Sequence, residues 1–305
     1  LSKGWPTLKG SKTIERNQNW DEDAPIVARM REEGAVFVGK TTTPEFGWKG
    51  VTDSPLTGST RNPWDPNRTP GGSSGGAAVA AALGMGHFNI GSDGGGSIRM
   101  PAGFCGVFGL KATFGLVPAY PQSTMGTLSH QGPMTRTVRD AARMLNTITK
   151  RDHRDWYSVP YRKLDYEDLL KNDVTGIKVA FSPTLGYASV DPLVSKQVKD
   201  AVKIFENLGC QITEINPPMT DPIEHMITLW SVGLAILVDG TPKEQRSLMD
   251  SPLLELADQG KNVSVLELRK AEQAREELAT QITLFLQNYD FLITPQLTLT
   301  AFEVG

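Results

Sequence analysis

The chain has 305 residues, 39% of them hydrophobic and 21% charged, with a formal net charge of -3. That length can bury a real core as one large α/β domain or two smaller ones, and the composition is that of an ordinary globular protein. No Lys/Arg block stands out, so no nucleic-acid partner is expected, and no run of eighteen apolar residues occurs, so neither is a membrane partner.

The chain opens on Leu1-Ser2-Lys3-Gly4-Trp5-Pro6, which is loop-like, with no starting Met and no signal-peptide core. It closes soon after a strand-like stretch at 291–294, and so reads as truncated at both ends. Apolar spacing predicts a short helix over 24–33 and a buried strand over 35–39. Residues 52–72 are rich in Pro, Gly, Asn, Asp, Ser and Thr and read as loop. The alanine-dominated stretch 75–83 reads as a helix whose small side chains let it sit close to other backbone. A strand is expected at 87–90 and a helix over 133–149. Residues 150–175 are charged and irregular, a surface excursion. A strand at 177–181 precedes an amphipathic helix at 191–208, where Val194, Val198, Ala201, Val202 and Phe205 recur at helical spacing and Gly209 closes the last turn. A strand at 211–215, a long helix over 264–288 and the strand at 291–294 complete the order. It predicts an α/β fold: a mixed, mostly parallel central sheet covered by helices, as a single domain over 1–305 with no internal repeat. The only cysteines, Cys105 and Cys210, have no metal-type spacing and make no disulfide framework, so a reducing, cytoplasmic setting is the default.

The chemistry lies between Pro70 and Arg99. Cluster one is Pro70-Gly71-Gly72-Ser73-Ser74-Gly75-Gly76, and cluster two is Gly91-Ser92-Asp93-Gly94-Gly95-Gly96-Ser97-Ile98-Arg99. Glycine permits positive φ and close approach to a ligand, and consecutive glycines can point several N–H groups into one concavity. A serine at the end of such a nest can attack a carbonyl whose oxygen swings into it, as acyl transfer requires. Gly71-Gly72-Ser73-Ser74-Gly75 also satisfies the G-x-S-x-G elbow pattern, but the Pro-rich stretch before it is no central strand. No Gly-Lys-Ser/Thr follows either cluster, so a phosphate loop is not supported, and the dinucleotide fingerprint is absent.

The combined pattern resembles the amidase signature family. The matching text runs through Thr69–Gly76 and Ser92–Arg99 and on through Pro101-Ala102-Gly103-Phe104-Cys105-Gly106-Val107-Phe108-Gly109-Leu110-Lys111. Weaker echoes are Asn62-Pro63-Trp64, Gly132-Pro133-Met134 and Tyr289-Asp290-Phe291-Leu292-Ile293-Thr294-Pro295. The resemblance implies the amidase signature fold and hydrolysis of a carboxylic amide by a Ser–cis-Ser–Lys triad. Carried over by position, Ser97 is the acyl-forming nucleophile and Ser73, twenty-four residues earlier, is the bridging serine after a cis Gly72–Ser73 peptide. The N–H groups of Gly94, Gly95, Gly96 and Ser97 form the oxyanion hole. The triad lysine is implied to precede the bridging serine by some tens of residues, in a Lys-Asp pair. No such pair occurs before Ser73, so no residue is assigned as base and the piece alone is expected to be inactive.

Ser74 is read as sharing in the relay or bonding the turn. Asp93 and Arg99 are read as substrate contacts or, preferably, paired charges that hold the nucleophile loop, because burying either alone is costly. Cys105 lies in an apolar run and reads as core rather than as a thiol nucleophile. His87, His130, His153 and His225 are scattered without metal spacing; a Ser-His-Asp scheme would need one of them beside a serine. No metal or organic cofactor is expected. The partner is a small-molecule amide, and a homodimer is the assembly considered. Two alternatives stand beside amide hydrolysis: the glutaminase subunit of a tRNA-dependent amidotransferase, and a non-catalytic relative acting as a binding or scaffold protein.

Overall fold

The computed structural model describes residues 1–305. In chain order the elements are α1 (Pro25–Glu32), β1 (Asp53–Ser54), β2 (Gly58–Ser59), α2 (Gly75–Ala82), β3 (Asn89–Asp93), α3 (Arg99–Cys105), β4 (Phe108–Gly109), β5 (His130–Thr135), α4 (Val138–Ile148), α5 (Tyr166–Leu169), β6 (Lys178–Phe181), α6 (Pro192–Asn207), β7 (Gln211–Glu214), α7 (Ile223–Asp239), α8 (Ser251–Lys261), α9 (Val265–Phe285) and β8 (Phe291–Ile293). The chain divides into two compact units. The first comprises Leu1–Lys171, Gly233–Asp258 and Ala301–Gly305; the second comprises Asn172–Val232 and Gln259–Thr300. The chain passes from one to the other within α7 and within α8.

The first unit carries an antiparallel sheet in the order β3–β5–β4. Gly91 faces Gly132 and Asp93 faces His130 across β3 and β5. β5 takes residues that the sequence pattern assigns to the start of a helix. Pro133, which could open a helix, instead sits in the central strand, because its neighbours pair with β3 on one side and β4 on the other. The helix begins three residues after Thr135, where the Thr137 hydroxyl accepts the Asp140 N–H at 3.1 Å and so caps α4. The buried face of α4, with Met144, Leu145 and Ile148, packs with Ile26, Val27 and Met30 of α1 in one core. A second core joins Ala77 and Ala78 of α2 to Ile98, Ala102, Cys105 and Met134. The stretch expected as a buried strand at 35–39 has no regular secondary structure and joins no sheet. Ala35 and Phe37 pack against the first core, while Val36 and Val38 are 87% and 77% exposed. Its alternation is that of a strand, but no neighbour supplies a ladder.

The second unit carries a parallel sheet in the order β7–β6–β8, with Val179 opposite Ile212 on one side and Phe291 on the other. A parallel pair needs a crossover, and α6 supplies it between β6 and β7. Asp191 caps α6 by accepting the Leu193 N–H at 2.7 Å, with Pro192 in the first turn, where a missing N–H costs nothing. Of the predicted apolar stripe, Val202 is buried, Val194 and Val198 are half-buried, and Ala201 and Phe205 are exposed. The fold is therefore mixed α/β. No helix is long and apolar enough to cross a membrane.

Candidate active site

Both serine clusters lie in turns that lead into helices. The first turn, 70–74, leads into α2, and its Gly72–Ser73 peptide is cis. Two of its glycines are explained by contact. A Cβ at Gly72 would stand 2.7 Å from the Val51 backbone, and one at Gly75 would stand 2.3 Å from Thr52 Oγ1. Only hydrogen fits at these positions, so the segment ending at Thr52 can seat directly against the turn. The Thr52 hydroxyl donates to the Gly71 carbonyl at 2.7 Å and accepts the Gly75 N–H at 3.1 Å. Ser73 is buried, and its Oγ lies against Gly47.

The second turn joins β3 to α3 and is wound around Asp93. Asp93 Oδ1 accepts the Gly96 N–H and Arg99 Nη2, each at 2.8 Å. Its Oδ2 accepts the Ile98 N–H at 3.1 Å and Arg99 Nε at 2.9 Å. Burial by itself would push this carboxyl up; the Arg99 guanidinium and the N–H groups of Gly96 and Ile98 outweigh it and hold Asp93 below the usual carboxylate range. Asp93 and Arg99 are thus one ion pair inside the loop. Ser97 is buried in this turn. The Gly96 N–H, expected in an oxyanion hole, is committed to Asp93. Those of Gly94, Gly95 and Ser97 make no hydrogen bond within the chain.

Ser74 ties the two turns together. Its N–H donates to the Ser97 carbonyl at 3.1 Å. Its hydroxyl donates to the Ser92 carbonyl at 3.1 Å and accepts the Ser92 N–H at 3.0 Å. The side chain does not cap α2; it bonds β3 one residue before Asp93.

Cys105 is fully buried, and burial pushes its thiol up to about 12, so it carries no thiolate near neutrality. His130 Nδ1 bonds the Leu128 carbonyl at 2.8 Å, and the ring stands edge-on to Phe114. Burial, then the nearby Lys111, lower its pKa. No group of three or more His, Cys, Asp or Glu is placed to hold a metal ion.

A cavity of about 630 Å³ is lined by Gly47, which lies against Ser73 Oγ, and by Ser92 of β3, while Ser73 and Ser97 themselves do not line it. Phe46, Phe114, Met125 and His130 give it an aromatic and apolar wall, and Lys9 and Lys40 line it as well. Burial lowers both lysines, Lys40 to about 8, and the Lys40 amine donates to Thr7 Oγ1. The wall is anchored by Glu45, a fully buried carboxylate that sequence reasoning passed over. It accepts the Ser11 hydroxyl and the Asp250 N–H, each at 2.6 Å. Thr52 was passed over too. Neither residue carries a local signal, because their partners are remote in sequence.

The family model described as "Amidase" matches residues 2–305. The acylamidase of Rhodococcus erythropolis is 39% identical over 304 residues, 99% of this chain and 64% of that protein. One subunit of the Thermotoga maritima glutamyl-tRNA(Gln) amidotransferase is 33% identical over 335 residues, covering 100% of this chain and 69% of that protein. Among solved structures, a bacterial aryl acylamidase of the amidase signature family superimposes with a TM-score of 0.91 at 26% identity, covering 100% of this chain and 65% of that one. The 6-aminohexanoate cyclic dimer hydrolase complexed with substrate gives 0.92 at 26% identity, covering 100% and 67%. The chain thus spans 64% of the length of the Rhodococcus relative.

Proposed function

Because this chain belongs to the amidase signature family, we propose that the protein hydrolyses a carboxylic amide through an acyl-enzyme on Ser97. Ser97 Oγ attacks the amide carbon while Ser73 Oγ takes its proton. The carbonyl oxygen, now an oxyanion, is held by the N–H groups of Gly94, Gly95 and Ser97, which are free to donate. Ser73 then returns a proton to the leaving nitrogen, the C–N bond breaks, and water releases the acid from Ser97 by the reverse path. The relay ends on a neutral lysine, to which no residue among these 305 is assigned. Asp93 and Arg99 act indirectly, by fixing the turn that carries Ser97.

The observation that carries this reading is the bonding of Ser74, which holds the Ser73 turn to the Ser97 loop through Ser97 and Ser92. The aromatic and apolar wall of the adjoining cavity suits an acyl group. Acylamidase chemistry is preferred over the glutaminase role because the Rhodococcus acylamidase is 39% identical over 99% of the chain, whereas amidotransferase subunits at 40–42% identity match only 67–74% of it and the Thermotoga subunit, which matches all of it, is 33% identical.

The test is turnover of aryl and alkyl amides by the full-length protein. Ser97→Ala should lower it by at least about 10³-fold, and Ser73→Ala by about 10²-fold or more. Turnover surviving Ser97→Ala, or fluorophosphonate labelling of another residue, sinks the Ser97 reading, whereas absence of amide turnover in the full-length parent protein favours a binding role. Glutaminase activity that rises with added partner subunits would favour the amidotransferase instead.

A further inference from the structure

We propose that Thr52 is a positioning residue for proton transfer through Ser73, an inference that rests on the relay role given to Ser73 above. Thr52 is 2% exposed and lies outside both glycine–serine clusters. A hydroxyl has one proton and two lone pairs. Thr52 spends the proton on the Gly71 carbonyl and a lone pair on the Gly75 N–H, so one side chain grips the turn on both sides of Ser73. The glycine at 75 is matched to it, since any Cβ there would fall 2.3 Å from the Thr52 oxygen. Thr52 is itself held. Its carbonyl accepts the Thr60 N–H at 2.8 Å, and the neighbouring Asp53 pairs with Ser59 across β1 and β2. Its β-branch restricts χ1, which keeps the hydroxyl aimed at the turn.

Removing the hydroxyl leaves a buried carbonyl and a buried N–H without their partner and frees the turn to shift. A displacement of about 1 Å at a reacting group costs about 10²-fold in rate. The loss falls hardest where Ser73 must deliver a proton to a poor leaving group. An amide nitrogen needs that proton before it can depart, whereas an activated ester oxygen departs with little help. A merely structural role would depress both substrates alike.

The experiment uses the full-length protein and a matched amide and activated ester that share one acyl group. Thr52→Val should lower kcat for the amide by about 10²-fold and for the ester by under about 10-fold, with KM little changed. Thr52→Ser, which restores the hydroxyl, should recover most of the amide rate. Equal losses on amide and ester, or a wild-type amide rate in Thr52→Val, overturn the proposal. If the valine variant does not fold, Thr52→Cys decides through its weaker donor. A lowered amide-to-ester ratio supports the proposal, and a wild-type ratio overturns it. Wild-type turnover that survives Ser97→Ala removes the Ser97 reading and the Thr52 proposal together, whereas Ser97-dependent turnover indifferent to Thr52→Val removes only the latter.

Discussion

Asp93 accepts five hydrogen bonds on two oxygens, three from backbone N–H groups and two from the Arg99 side chain. Each bond fixes an atom of the loop that carries Ser97. Asp93→Asn keeps the shape but turns one acceptor into a donor that faces other donors, and it leaves Arg99 without its counter-charge. Breaking a buried pair costs about 3–5 kcal/mol, and the partly exposed Arg99 places this one near the lower end, about 3 kcal/mol. Urea titration measures it; a loss under about 1 kcal/mol would mean that the loop is held by other contacts. The pair was legible in the sequence because its members are six residues apart in one turn. The direction of the Gly96 N–H was not, because the carboxylate that captures it also sets the path of the backbone. Thr52 and Glu45 were illegible for another reason. Thr52 bonds residues 19 and 23 positions away, and Glu45 bonds residues 34 and 205 positions away, so their roles exist only once the chain has folded.

Helix α2 shows propensity and packing in opposition. Gly75 opens it, and an alanine there should stabilise the helix by about 1 kcal/mol on intrinsic preference. Yet the added Cβ would stand 2.3 Å from Thr52 Oγ1 and 2.9 Å from Thr52 Cβ, and the β-branched threonine has little room to yield. Overpacking of that kind costs about 1–3 kcal/mol, and a 2.3 Å approach lies toward the upper end, so net of its helix preference Gly75→Ala should destabilise the protein by up to about 2 kcal/mol. Thermal melting of the two forms decides the sign, and a melting temperature at or above that of the parent would show that the turn can open. The same contest explains what could be read at this scale. α1 and α2 follow their apolar or alanine patterns, because each buries a face that the pattern marks, while α6 and α9 form where expected although Val202 and Ala271 are their only fully buried residues. β5 escaped, because a Gly-Pro step reads locally as a helix start and only the ladders to β3 and β4 make it a strand. α7 escaped because its long apolar stretch runs without the spacing that separates a face from a back, whereas α8 does bury Leu253, Ala257 and Gly260 at helical spacing and is simply short and mixed in composition.

Across the whole molecule, the buried ionisable groups with depressed pKa values are not shared evenly. Asp93, and His130 with half of its bulk covered, both belong to the first unit, as do Asp23 and Asp152. Burial pushes Asp23 up, but Arg31 and the Lys3 N–H outweigh it, and Arg154 holds Asp152 down. The second unit's depressed carboxyls, Asp173, Asp200 and Glu267, lie at the surface, where water and salt screen their partners. Every one of these groups binds a proton less readily when folded than when unfolded. Acid therefore favours the unfolded form: their stabilisation is complete above the unfolded pKa and is lost as pH falls through the folded one. For His130 the loss begins near pH 6.5, and for the carboxyls near 4. Between pH 7 and about 3.5 the first unit should thus lose stability well ahead of the second. Amide hydrogen exchange can follow both, through β3 and β5 in one and β6 and β7 in the other. Protection in the antiparallel sheet should fall first, and a loss that begins in the parallel sheet would show that surface charges govern the acid response.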